Sequence, residues 1–448
     1  MTRDYLNHSP VNFLKRIGLT FLLSLICLPA AVWSQDAVRP SLAGEAAAEA
    51  RRQDVDRLPY NLLLGPVRFR VSATIGVEYN DNINLSDDED AIILTPGGPI
   101  LVQARTQDDV ILRPQVNVDA IWPITQLNTL RLDLGLGYSF YLDHSNANTN
   151  GILISPGSQL AFDIFVGDFR INIHDRPQLQ QDPIAELALS NVVDYGRFEN
   201  TAGVGVLWDL NKALLTLGYD HYNYISTTDQ FDYLNRHAEI LSGTLQVLLT
   251  STIGLGPEGY AVFTRYDDQV LNDSETYAVG AFLETQITNN LKIRIAGGYQ
   301  WIDFDRAVVD FFGFRFFRDQ KNFSDWYANI LVSHRLNSSL KQTVSAGREA
   351  QLGVNSNFID LRYVRHTISW NIVRDTLIGT EFFYEDAEDS GGFINEHLHR
   401  YGGAITVGYQ LTPHITLGAR YQYTQKDSDV VLRDYRQNRV SIDGTYSF

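Results

Sequence analysis

TLRLDLGLGYSFYL, residues 129–142, puts Leu130, Leu132, Leu134, Leu136, Tyr138 and Phe140 on one side of an extended chain; Arg131, Asp133, Gly135, Gly137, Ser139 and Tyr141 fall on the other. A helix would need its apolar residues three and four apart, so a period of two predicts a strand with one apolar and one polar face. LKIRIAGGYQW (291–301) and HITLGARYQY (414–423) repeat the device.

Soluble sandwiches alternate too, so the connections decide. From residue 66 onward the alternating stretches are joined in turn by tight turns (PITQLN, VGD, DLNK, TST, TNN, LNSS, RD, TPH) and by longer polar segments (81–108, 143–156, 177–194, 225–234, 305–320, 351–359, 386–397). Short turns on one side and long loops on the other, with an even strand number, are the pattern of a bacterial outer-membrane barrel. The spacing predicts an all-β, closed antiparallel transmembrane barrel over 66–448 with eighteen strands. Sixteen or twenty are the alternatives, because 143–176 holds two short strands that would merge and 305–320 would extend its hairpin. NRVSIDGTYSF ends on Val440, Ile442, Tyr446 and Phe448 in alternation, as a sheet-closing last strand requires.

Composition agrees. Tyr and Phe number 23 each and Gly 33, against one Met and one Cys, which favours strands; 20% charged residues exclude a helical membrane protein. Arg3, Lys15 and Arg16 precede the apolar run 17–32, and Val32-Trp33-Ser34 is an acceptable cleavage site, so 1–34 reads as an export signal. Cys27 lies inside it, which leaves the mature chain without disulfides or thiolate metal sites. The net charge of −17 disfavours nucleic acid as a partner. Residues 35–65, Ala-rich and charged, read as a periplasmic linker or short helix.

GVEYNDNINLS (76–86), ILRPQVNVDAIWP (111–123) and the recurring strand-turn device resemble the family described as putative beta-barrel porin type 2. The resemblance implies an outer-membrane pore or exporter, since some members sit among exopolysaccharide synthesis and export genes. It implies outer-membrane lipid and lipopolysaccharide as surroundings, the barrel-assembly machinery as folding partner, and an anionic polysaccharide or its export apparatus as partner. A structural or adhesive barrel with a closed lumen is the alternative.

Several constellations bear on function. The polar phase of strands rising from the periplasm carries Arg68, Arg70, Arg131, Arg170, Lys212, Lys292, Arg294 and Lys341. These predict a basic ring at the periplasmic mouth, partly offset by Asp133 and Asp168, that would concentrate anionic solutes. In the third external loop, Asp182 and Pro183 read as a helix start before IAELAL with Glu186, a segment placed either as a lumen constriction or as an external cover. Glu78, Asn80, Asn82, Asn84 and Glu89 can be laid on a calcium-loop template, but Ile83 stands where the template's sharp turn needs Gly. His397 and His399, beside Glu396, have the residue types to bind a transition metal in passing, but two exposed histidines on a loop are usually only that, and no metal site is predicted. No cofactor motif is present and no enzyme is predicted; His366 with Ser369, Asp143-His144 and Asp220-His221 are the nearest approach to a barrel-rim hydrolase.

Overall fold

The structure is a computed structural model that describes residues 60–95, 98–125, 128–149, 151–305, 308–311, 314–317, 319–373, 375–391 and 395–448. The predicted export signal and most of the Ala-rich segment lie outside the described residues. The barrel strands begin with β1 (Val67–Asn80), β2 (Asp109–Pro123), β3 (Thr129–Gly137), β4 (Gln159–Val166), β5 (Phe169–Gln180) and β6 (Arg197–Asp209). They continue with β7 (Ala213–Ser226), β8 (Arg236–Leu248), β9 (Ile253–Tyr266), β10 (Ser274–Thr288), β11 (Leu291–Phe304) and β12 (Phe323–Arg335). The last third is β13 (Leu340–Leu352), β14 (Phe358–Val373), β15 (Thr376–Asp389), β16 (His397–Thr412), β17 (Ile415–Ser428) and β18 (Tyr435–Ser447).

Each strand pairs antiparallel with the next, and β18 returns to β1 in a register running from Ser72↔Ser447 to Asn80↔Arg439. The eighteen described strands therefore close with no open edge, which a bilayer demands because lipid cannot satisfy free N–H and C=O groups. The lower end of β1 extends below the seam, where Leu62–Leu64 fold back through Gly65 (φ +59°) and pair with Val67–Phe69. Asn61 seals that corner, its side chain bonding the Val71 N–H at 3.0 Å and C=O at 2.7 Å.

Alternation sorts the faces. Ile75, Val77, Leu217, Leu241, Val279 and Ile442 project outward and are exposed, as a lipid-facing band must be. The inward phase is polar: Thr74 meets Thr445 at 2.8 Å, Glu78 meets Arg113 at 3.0 Å, and Arg294 meets Glu258 at 2.6 Å. Where an aromatic lies on the inner wall, glycine makes room for it. A Cβ at Gly298 would come 2.8 Å from the ring of Tyr327, whose hydroxyl donates to Glu258 at 3.2 Å.

Two strand expectations change. The strand read at 129–142 stops at Gly137, and only Phe140–Tyr141 rejoin β2, opposite Leu112 and Ile111. The backbone keeps two bonds to β2, from the Tyr138 N–H to the Pro114 carbonyl at 3.0 Å and from the Leu142 N–H to the Val110 carbonyl at 3.1 Å, while side-chain acceptors take other N–H groups: Asn148 that of Tyr141 at 2.6 Å, and Asp109 those of Asp143 and His144. Residues 308–311 and 314–317 form a hairpin of their own outside the barrel sheet, so they leave the strand number at eighteen.

Candidate functional site: a loop across the barrel interior

Residues 181–196 connect β5 to β6 and turn inward. The sequence supplies the reason, since Leu187, Ala188 and Leu189 need an apolar neighbourhood that the external medium does not offer. They are buried at 6%, 2% and 5% exposure, in one cluster with Tyr222, Tyr224 and Ile240 of β7 and β8 and with Ile359, Leu361 and Leu398 of β14 and β16. The cluster thus joins one wall of the barrel to the opposite wall through the loop.

The entry to the loop is a short 3-10 turn, Pro183–Ala185, instead of a longer helix, and Asp182 caps it by accepting the Ile184 N–H at 3.1 Å. The same carboxylate is gripped by Arg439 of β18 through two hydrogen bonds of 2.5 and 2.8 Å, a bidentate pair joining residues 257 positions apart. Burial opposes ionisation of Asp182, but the Arg439 charge and hydrogen bonds outweigh it and hold the carboxyl well below the usual range. Arg400 of β16 donates to the Ile184 carbonyl at 2.7 Å and also holds Glu385 at 2.7 Å.

The far end of the loop is latched separately. Ser190 donates to the Arg433 carbonyl at 2.8 Å and receives the Lys426 ammonium at 3.2 Å. Lys426 and Arg433 share Glu396 at 2.8 and 2.5 Å, with Lys426 and Glu396 fully buried. Asn191 donates its backbone N–H to the Leu85 carbonyl at 3.0 Å and its amide to the Leu432 carbonyl at 2.7 Å. Leu85, Asn191 and Leu432 all have left-handed backbones (φ 51°, 59° and 65°), so three loops meet at residues held in a conformation that leucine disfavours. Glu186 lies between the latches among Arg197, Arg400 and Arg236; burial pushes its carboxyl up despite those charges.

The predicted periplasmic ring divides. Arg131 and Arg170 both face Asp163, at 2.8 and 3.5 Å, Arg294 pairs with Glu258, and Lys292 pairs with Glu284 at 2.9 Å. Arg68 lies over the Tyr60 ring at 5.8 Å. Arg70, Lys212 and Lys341 are exposed and make no ion pair among the described residues, with Lys212 in the β6–β7 turn.

The amide oxygens of the calcium template face inward on their own loop. Those of Asn80, Asn82 and Asn84 accept the backbone N–H groups of Asn82, Ser86 and Gln107, and Glu78 holds Arg113. Glu89 is exposed beside Asp88, Asp90 and Arg105. The hydrolase pairs also come apart. In the β13–β14–β15 register, His366 shares the outward phase of Val364, whereas Ser369 shares the inward phase of Arg365 and Glu385. Asp220 meets His174 inside at 2.7 Å, while its sequence neighbour His221 meets Glu239 outside at 2.9 Å. His144 hydrogen-bonds Asp109 at 3.0 Å, so Asp143 is not its ring partner in that contact.

The reading from sequence missed the buried charges Glu385, Arg400 and Lys426 of β15–β17 and the half-buried Arg439 of β18. Charge near the external strand ends is visible in the sequence, but it occupies both phases, as in Glu385 beside Asp386, and so does not show which side chains face inward.

A closed strand barrel with a polar interior and an apolar belt is the architecture of outer-membrane porins. The model of the family described as "Putative beta-barrel porin 2" matches residues 99–447, and the chain belongs to that family. It is a porin-like β-barrel of the bacterial outer membrane. Among curated proteins none matches by sequence. Solved structures similar to the chain include a BenF-like porin from Pseudomonas fluorescens Pf-5, at 11% identity and a TM-score of 0.45 over 85% of this chain and 99% of that one. OccK5 (OpdH) of Pseudomonas aeruginosa matches at 10% identity and 0.44 over 85% and 98%. OccAB3 of Acinetobacter baumannii matches at 9% and 0.44 over 85% and 99%.

Proposed function

We propose that the barrel passes hydrophilic solutes across the outer membrane through a lumen narrowed by the 181–196 loop, and that anionic solutes are favoured. The observation that carries this reading is the loop clamped across a polar interior by Asp182 and Arg439. Preference for anions is supported by Lys212 and Lys341, exposed at the short-turn end without an ion pair among the described residues, and by Arg70, exposed beside them with Asp119 opposite it on β2. A narrow, low-dielectric mouth of one sign raises the local concentration of the opposite sign. Passage of an anionic polysaccharide is the sharper form. A polymer would have to displace the loop, and an export apparatus on the periplasmic side would be the natural source of that work.

The apolar cluster that ties the loop to both walls favours a second reading, a barrel whose lumen stays closed and whose acidic external loops contact other surfaces. Planar-bilayer recording separates them. The first reading expects discrete channels that reverse on the anion side under a salt gradient, with larger conductance when 183–190 are replaced by a short Gly-Ser linker. Cation selectivity would overturn the anion preference, an unchanged conductance in the linker variant would remove the constriction, and a protein that never opens would favour the closed barrel.

A further inference from the structure

On the outer surface of β15 and β16, at their external ends, Asp386, His397 and His399 converge. Histidines at alternate positions of one strand must share a face, and the register sets Asp386 directly opposite His399, with Glu388 opposite His397. His397 Nε2 lies 2.9 Å and His399 Nδ1 3.3 Å from the same oxygen of Asp386, and the three ligand atoms lie within 4.8 Å of one another. A tetrahedral zinc ion with bonds of about 2.0–2.1 Å needs neighbouring ligand atoms roughly 3.3 Å apart. Two of the separations already sit near that value.

The surroundings fix this geometry. Arg362 holds the other oxygen of Asp386 at 3.1 Å, which leaves the first turned to the imidazoles. Tyr384 stacks on His399 with ring centroids 6.2 Å apart, and its hydroxyl is 3.2 Å from Nδ1. The His397 backbone N–H is anchored by Asp429 at 2.8 Å. Glu396, the acid adjacent to the pair in sequence, takes no part, because it points into the lumen to Lys426 and Arg433. The carboxylate comes instead from the neighbouring strand, and the remaining coordination positions face outward.

We infer that Asp386, His397 and His399 form a surface site for a borderline divalent transition metal, zinc being the reference occupant, that bridges β15 and β16 at the external rim. Two imidazoles and a carboxylate with an open position suit such an ion and suit calcium or magnesium poorly.

The test is a titration of the full-length protein, carrying no histidine tag and stripped with chelator in detergent, with Zn2+ by calorimetry and with Cu2+ by electron paramagnetic resonance. The expected result is one equivalent with a nitrogen-coupled copper signal. His397→Ala and His399→Ala should each weaken binding by more than the roughly 10–100-fold that loss of an outer-shell partner costs. His221→Ala/His237→Ala, at a second histidine pair on the outer face, should leave binding unchanged. Heat-modifiable gel mobility checks that each barrel is folded. Equal affinity and stoichiometry in a folded His397→Ala/His399→Ala variant would overturn the site, as would wild-type binding that only the His221→Ala/His237→Ala change removes.

Discussion

At the short-turn end of the lumen, Arg70 and Lys341 are exposed and Arg420 faces Glu381 at 3.4 Å with both side chains more than 40% accessible; at the long-loop end Lys426, Glu396, Glu385 and Arg400 are almost wholly buried. The residue types match, yet the physics differs. Exposed pairs are worth about 0–1 kcal/mol, whereas removing one member of a buried pair costs about 3–5 kcal/mol because the survivor is left uncompensated. One end of the interior is therefore accessible to solvent and the other is a folded core enclosing a loop.

The most severe challenge to that contrast is Arg439→Ala, which strands the half-buried Asp182 and should cost the docked loop up to about 3–5 kcal/mol. Limited proteolysis within 183–190 should accelerate, and Arg439→Ala/Asp182→Ala should recover part of the protection. Next, Leu189→Ala opens a cavity in the cross-lumen cluster and should cost about 2–5 kcal/mol, read as faster hydrogen exchange in the loop with the barrel ladder unaffected. Val279→Arg acts on the lipid side; at mid-belt it should cost about 2–4 kcal/mol, read as a lower urea midpoint for the whole barrel.

A smaller effect is expected from pH. Burial raises the carboxyls of Glu186 and Asp194 in the docked loop, so the docked form holds their protons more tightly than a water-exposed loop does. That contribution to docking is fully present below the ordinary carboxylate range and is lost as pH rises through the raised values. Asp182 shifts the other way, so its clamp to Arg439 persists throughout that window. Channel openings should become rarer as pH falls toward the ordinary carboxylate range, and Glu186→Gln should flatten the dependence. The least disturbance to stability belongs to Arg70→Ala/Lys341→Ala, under about 1 kcal/mol, since both side chains are exposed. Its reversal potential should nevertheless move toward the cation side, and an unmoved potential would show that the solvent-accessible end does not select.

The barrel was legible because period-two alternation and the succession of short and long connections are local properties of the chain. The strand at 291–301 shows this, with Lys292 and Arg294 inside and Ile293 and Ile295 outside as read. The loop's partners were not legible. Near the external strand ends both phases are polar, as in Asp386 beside Glu385, so charge no longer marks a face. Arg439 and Asp182 also lie 257 residues apart, and only the closed register brings them together. His397 and His399 could be paired from spacing, but their carboxylate could not, because the adjacent Glu396 points the other way.

The seam between β1 and β18 carries a cost in time. Thr74 bonds Thr445 across 371 residues, so the first strand of a nascent chain keeps an unsatisfied edge until the eighteenth has been synthesised and brought round. Contacts of that separation form late, and strands waiting with bare edges associate with whatever other edges they meet. Until the seam closes, the outer edges of β1 and β18 stay open to such association.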